Sequence, residues 1–244
     1  MFKNASGTSR IARKALASLA AVTLLGAGLV GCSSSSSGGG TLTYLTNADS
    51  WTHADPNRNY TGQHIAWFGS YMHRTLTAYA RAEGSAGSAV VADLATDTGT
   101  SSNEGKVWSF TLKEGLKYED GSVITCEDVA YGVSRSFATD VITDGPSYAM
   151  TYLDVEGEYP GPYSATAAQQ AAYDKAVTCD GNVITFNLKS TVADFNYTTT
   201  LLTFSPVPKA KDTGEKYDMH PVASGPYKIE SYEVGKALVL VRND

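Results

Sequence analysis

Reactive and metal-binding side chains are scarce in this sequence. Its 244 residues hold only 3 cysteines and 4 histidines. No two cysteines have CxxC spacing, and His53, His64, His73 and His220 form no HxxxH pair, which argues against the common zinc arrangements. The nucleophile signature G-x-S-x-G is missing, since Gly132-Val133-Ser134-Arg135-Ser136 lacks the final glycine. The sequence therefore calls for no metal, no cofactor and no catalytic residue. No apolar run reaches the roughly 20 residues of a comfortable membrane helix. Positive charge is also short. Four of the 19 basic residues (Lys3, Arg10, Arg13 and Lys14) lie in positions 1–31, which leaves 15 against 25 acidic residues in the remainder. A body this acidic lacks the basic footprint that nucleic acid requires.

What is present is a globular composition, with 42% hydrophobic and 18% charged residues. Tyrosine dominates the aromatics, at 15 against 7 Phe and 3 Trp, and suits half-wet clefts as well as cores. The four early cations precede Ala15–Val30, an uncharged stretch of sixteen residues, as in a secretory signal. That stretch ends in Leu29-Val30-Gly31-Cys32, which resembles the lipobox of bacterial lipoproteins. The resemblance implies a signal peptide over residues 1–31 and lipidation of Cys32, and hence a chain anchored on the extracytoplasmic face of the cell membrane. Several acyl chains on one residue hold a protein stably, where one chain is marginal. Ser33–Gly40 is then a flexible tether with a root-mean-square reach of roughly 15 Å. With Cys32 used, Cys126 and Cys179 remain, and an even remainder in an oxidising compartment points to a disulfide. Two separate buried thiols are the alternative.

Along the rest of the chain, Thr41–Asn47 is β-rich and runs into a polar loop, Ala48–Tyr60, that contains Asp55-Pro56. Ile65, Phe68 and Met72 recur at helical spacing. Residues 82–106 read as loop except Val90–Leu94. Val107–Leu112 alternates, with Trp108, Phe110 and Leu112 on one face, as in a half-buried strand. Thr125 followed by Glu127 and Asp128 is a helix start with acidic residues where the dipole favours them. Val129, Val133 and Phe137 form its buried stripe, and the helix is expected to end near Thr139. Ala167–Ala176 reads as a short helix. The pair Asp180-Gly181 between two β-rich runs predicts a hairpin, and Pro226–Tyr232 with Lys236–Val241 predicts another. Strands, long loops and a few helices make the fold class α/β, in the mixed α+β sense.

Trp108–Gly121 (WSFTLKEGLKYEDG) and Ser122–Phe137 (SVITCEDVAYGVSRSF) together resemble the signature of the family 5 extracellular solute-binding proteins of ABC importers. Asp55-Pro56, Val183–Leu188, Ser205–Lys209, Gly225-Pro226-Tyr227 and Leu238–Asn243 match the family in the same order. The resemblance implies a two-lobed clamshell of which residues 41–244 form the first lobe, with the second missing and the chain an N-terminal fragment. It places 41–72 and 200–244 in a hinge-proximal subdomain and 73–199 in an inserted one. It implies a membrane-anchored receptor for a small solute, most plausibly an oligopeptide, that docks on ABC permease subunits. Oligosaccharides or nickel chelates are the alternative solutes, and a lone lobe is expected to lose high affinity. A secreted surface enzyme and a non-transporting sensory or adhesive lipoprotein are the readings from other classes.

By the same resemblance, the loop after the first strand lines the solute cleft. In this sequence it comprises Asn47, Ala48, Asp49, Ser50 and Trp51. Asp49 suits a cationic group and Trp51 suits stacking. A plain turn with Trp51 packed on the core edge is the other reading of the same residues. Glu127 and Asp128 are explained by helix capping rather than by paired-carboxylate chemistry, and Glu156 and Glu158 by a solvated loop.

Overall fold

Strand geometry follows first from the alternating run that contains Trp108, Phe110 and Leu112. Every second side chain there is buried, and the intervening ones face outward. In the computed structural model of the chain, residues 40–46 and 51–244 are described. In order, the elements are α1 (Gly62–Tyr71), β1 (Thr77–Tyr79), β2 (Val90–Ala92), β3 (Thr100–Ser102), β4 (Val107–Thr111), α2 (Cys126–Arg135), α3 (Tyr148–Tyr152), α4 (Ala167–Ala176), β5 (Val177–Asp180), β6 (Val183–Asn187), α5 (Phe195–Thr198), β7 (Tyr227–Glu233) and β8 (Ala237–Arg242). Short 3-10 turns join several of them. The fold is mixed α/β.

Four antiparallel strands form the main sheet in the order β3-β4-β6-β5. Trp108 pairs with Phe186 and Phe110 with Ile184, so large apolar side chains sit opposite one another on the buried face. Against this face pack Val129 and Val133 of α2, Phe195 of α5 and Phe204. A second, smaller core joins Phe68 of α1 and the adjoining Met72 to Ile229 of β7, with Leu238 and Leu240 of β8 at its edge. Burying each such side chain contributes about 1.5–3 kcal/mol.

Helix α2 starts where its sequence predicts. Thr125 accepts from the Asp128 amide, and the Asp128 carboxylate accepts from the Thr125 amide, which closes a capping box. A disulfide joins Cys126 to Cys179, with Cα atoms 5.8 Å apart, so the start of α2 is tied to the β5–β6 hairpin. Further along, Gly132 lets the helix lie directly on residues 205–207. A Cβ there would stand 2.2 Å from the Ser205 carbonyl oxygen.

Four sequence expectations need correction. Thr41–Thr46 carries no strand and is exposed; it has the composition of a strand but no hydrogen-bonded partner among the described residues. Helix α2 ends at Arg135 rather than near Thr139, because Phe137 and Ala138 bond back only three residues, to Ser134 and Arg135. Phe137 still packs on the core, so the apolar stripe outlasts the helix. In the β5–β6 hairpin, Asp180 pairs with Val183, which moves the two-residue turn to Gly181-Asn182, with Gly181 at φ 56°. The passage 82–106, read as loop beyond Val90–Leu94, also contains β3, whose side chains are all exposed and leave no hydrophobic pattern.

Candidate functional site

Trp51 is the described end of the loop that the sequence nominates for solute contact. Asn47, Ala48, Asp49 and Ser50 lie outside the described residues, as do Cys32 and the signal segment 1–31. Trp51 is half-buried. Its ring stacks on His64 at 5.4 Å and approaches Trp67 at 4.7 Å and Phe68 at 5.6 Å. Its backbone carbonyl accepts a 2.9 Å hydrogen bond from the Tyr232 hydroxyl. The ring thus packs at the edge of the smaller core and anchors one end of the loop.

The segment that follows is held from several sides by charge. Arg135, at the end of α2, is fully buried. Its Nη1 and Nη2 donate to Asp55 Oδ1 and Oδ2 at 2.8 and 2.6 Å, and Nη1 also donates to Asn57 Oδ1 at 2.6 Å. Its Nε donates to Asp212 Oδ2 at 2.9 Å, and its guanidinium lies 4.9 Å over the Tyr217 ring. Burial opposes the charge, but Asp55 and Asp212 outweigh it and hold the guanidinium pKa above its ordinary value. The Tyr131 and Tyr163 hydroxyls donate to the same Asp212 oxygen, and burial together with that carboxylate pushes both phenols up.

A second carboxylate organises the same stretch. Asp218 Oδ1 accepts the backbone amides of Ala54 and Asp55 at 2.9 Å each, and Oδ2 meets His53 Nδ1 at 2.5 Å. The other face of the His53 ring reaches Asp144, with Nε2 to Oδ2 at 2.8 Å, and Arg58 Nε donates to Asp144 Oδ1 at 2.9 Å. Against the cost of burial, the bond from Arg58 holds the Asp144 carboxyl below its usual range. Gly145 packs so closely on this segment that a Cβ would stand 2.2 Å from the Asn57 carbonyl oxygen.

Two stretches far apart in sequence, 51–61 and 144–152, are therefore stitched into one seam. Tyrosines stand along it. Tyr60 is 55% exposed and lies 6.5 Å from Tyr148, which in turn stacks on Tyr152 at 6.3 Å. A hydrogen bond with Tyr60 raises the Tyr148 phenol. Aromatic faces with polar tips, mounted on segments held by ion pairs, can stack on planar groups and hydrogen-bond to them. Glu127 faces solvent and Asp128 is used as a cap.

Sequence reasoning reached Trp51 and noted Asp55-Pro56 but missed Arg135, Asp212, Tyr60 and Tyr148 as parts of one arrangement. A usable signal existed for Arg135. An arginine on a helix that is expected to be mostly buried requires a carboxylate partner, and the polar loop containing Asp55 was available to supply one. Tyr148 offered no such signal, because it stands in a passage without periodicity.

Residues 89–244 match the family model described as "Bacterial extracellular solute-binding proteins, family 5 Middle". The periplasmic oligopeptide-binding protein OppA of Salmonella typhimurium is 32% identical over 143 residues, which cover 57% of this chain and 25% of that protein. The solved structure of clavulanic acid biosynthesis oligopeptide binding protein 2 superposes with a TM-score of 0.74 at 36% identity, over 81% of this chain and 35% of its own. The Escherichia coli murein tripeptide binding protein MppA shares the fold, with a TM-score of 0.60 at 22% identity over 80% of this chain and 36% of its own. The chain thus spans about a quarter of the length of the curated relatives it matches. With the match extending over well more than half its residues, the chain belongs to the bacterial extracellular solute-binding proteins of family 5, which are binding proteins and not enzymes.

Proposed function

We propose that this protein is the substrate-binding component of an ABC importer, that its solute is an oligopeptide, and that the seam of residues 51–61 and 144–152 supplies one wall of the solute site. The observation that carries this reading is the pairing of exposed Tyr60 with half-buried Tyr148, on segments held by the Arg135–Asp55 and Arg58–Asp144 ion pairs, in a chain of a solute-binding family. Asn47, Ala48, Asp49 and Ser50 extend that wall beyond Trp51. Extended peptides are recognised largely through their backbones, and tyrosine hydroxyls and ring faces suit such groups without demanding one side-chain sequence. The relatives named as oligopeptide-binding proteins support the solute class. In this reading 41–72 with 200–244 form a hinge-proximal part and 73–199 an inserted part; the smaller core lies within the former, and Phe204 of the former also packs in the larger core.

In this reading Cys32 carries the acyl anchor and Ser33–Gly40 is the tether that lets the receptor reach its permease. Replacing Cys32 with serine is expected to move the protein from the membrane fraction to the soluble one; retention in the membrane overturns the anchor.

The solute class is tested by saturation-transfer NMR on the whole chain, which detects binding as weak as about 1 mM, roughly 4 kcal/mol. Peptides of two to six residues, oligosaccharides and nickel chelates form the three arms. Peptide signals alone support the assignment. Signals from sugars or chelates without peptides, or from none of the three, overturn it.

A further inference from the structure

His53 has a carboxylate on each ring nitrogen. Nδ1 meets Asp218 Oδ2 at 2.5 Å and Nε2 meets Asp144 Oδ2 at 2.8 Å. A carboxylate only accepts, so both contacts are hydrogen bonds only when both ring nitrogens carry protons. The two partners are unequal. The Asp218 side chain is 9% exposed and fixed by the Ala54 and Asp55 amides, whereas the Asp144 side chain is 43% exposed and sits on a loop. The remaining charges at the ring are few. Arg58, from the same segment as His53, bonds Asp144 and stands 3.5 Å from Asp218. From β7, the Tyr232 phenol senses Asp218 but is pushed up to about 12, mainly by burial, and stays neutral.

We infer that His53 is a proton-operated latch, which adds a second tie between the 140–148 and 51–61 segments, beside the one from Arg58, when its imidazole is doubly protonated and loses that tie when it is not. That the latch regulates solute binding rests on the reading of this seam as a wall of the solute site. The proton leaves to solvent from Nε2, the nitrogen facing the more exposed carboxylate. Its lone pair then opposes the Asp144 oxygen, and Asp144 keeps its bond from Arg58. Tyr148 lies four residues beyond Asp144, so the lost tie lies one short stretch of chain from the tyrosine pair.

The direction of the pH response follows from the same groups. The bond to Asp218, opposed by burial and aided by the charge of both carboxylates, raises the His53 pKa above its ordinary value of about 6.5. The latch is therefore fully closed below about pH 6.5 and opens as pH rises through the higher folded-state value.

The test needs no solute. His53 is titrated by NMR in the whole protein, and amide hydrogen exchange of residues 140–148 is followed over the same pH range, corrected for intrinsic base catalysis. The expected result is a His53 midpoint above 6.5 and a fall in protection of roughly two- to fivefold through it, the scale of a partly exposed ion pair. Asp144→Asn is expected to lower the midpoint and flatten the protection profile while leaving Asp218 in place; His53→Gln is expected to flatten it as well. A midpoint at or below 6.5, or a protection change that persists in Asp144→Asn, overturns the latch. Peptide binding that is absent while the latch titrates overturns the functional reading and leaves the latch standing.

Discussion

Arg135 and Asp55 form a two-pronged ion pair in which neither side chain is open to solvent. They are 80 residues apart in sequence, so this pair fixes where the Asp55-Pro56 segment lies against α2. A buried charge left without its partner is far more costly than the pair itself is stabilising. Arg135→Met is accordingly expected to lower the unfolding free energy by about 3–5 kcal/mol in urea titrations. Arg135→Lys keeps the charge but cannot span Asp55, Asn57 and Asp212, and should fall between the two. A loss below about 1 kcal/mol for Arg135→Met, within the range of a surface pair, contradicts the role assigned to it.

The disulfide is expected to matter for stability. Cys126 and Cys179 are separated by 53 positions, and loop-closure models give such a crosslink about 4 kcal/mol. Non-reducing peptide mapping should recover the two cysteines in one linked species about 2 Da below the dithiol mass, because forming the bond removes two hydrogens. Reduction, or Cys126→Ala with Cys179→Ala, should lower the urea midpoint and steepen the slope, because the unfolded chain without the crosslink exposes more surface. Two free thiols in the oxidised, exported protein are the contrary result.

His73 provides a pH dependence of opposite sense to that of His53. Burial drives its pKa down to about 4, although the Ala54 carbonyl, 2.9 Å from Nε2, favours a proton there. The unfolded chain therefore binds the proton first, near pH 6.5. Stability from this residue is complete above pH 6.5 and is lost as pH falls from there toward 4, by about 3 kcal/mol in all. Urea unfolding followed over that range should show the acid loss in the native protein and a shallower one in His73→Gln. Parallel profiles for the two proteins are the outcome that removes His73 from the account.

The contact between α2 and residues 205–207 depends on the absence of a side chain at position 132. Gly132→Ala is expected to cost about 3 kcal/mol, the upper end for overpacking, through backbone displacement, since Ser205 offers a rigid carbonyl rather than a yielding side chain. Gly121→Ala is the control: its φ of 81° is strained for alanine, but its surroundings are open, so the cost should stay near 1 kcal/mol. Equal costs at the two sites contradict the close-approach argument.

Local signals carried the sequence reading a long way. The alternation of Trp108, Phe110 and Leu112, the Thr125 cap and the β-rich runs around Gly181 are each written within a few residues. They appear in the structure as β4, α2 and the β5–β6 hairpin. Distant partners are legible only as a need: a buried Arg135 calls for a carboxylate without saying which one. Nothing near Arg135 names Asp55 or Asp212 as its partners, and nothing near His53 names Asp144. Trp51 illustrates the boundary. Its place in the chain was readable, but its packing on His64 and Trp67 depends on α1 being folded beneath it.

The most direct measurement is hydrogen exchange of the whole chain with and without a saturating peptide of two to six residues, read peptide by peptide. Added protection is expected to concentrate in residues 51–61 and 144–152, and to be lost in Tyr148→Ala without a change in unfolding midpoint. A bound peptide that protects neither stretch, or protection that survives Tyr148→Ala undiminished, contradicts the assignment of the tyrosine seam as a wall of the solute site.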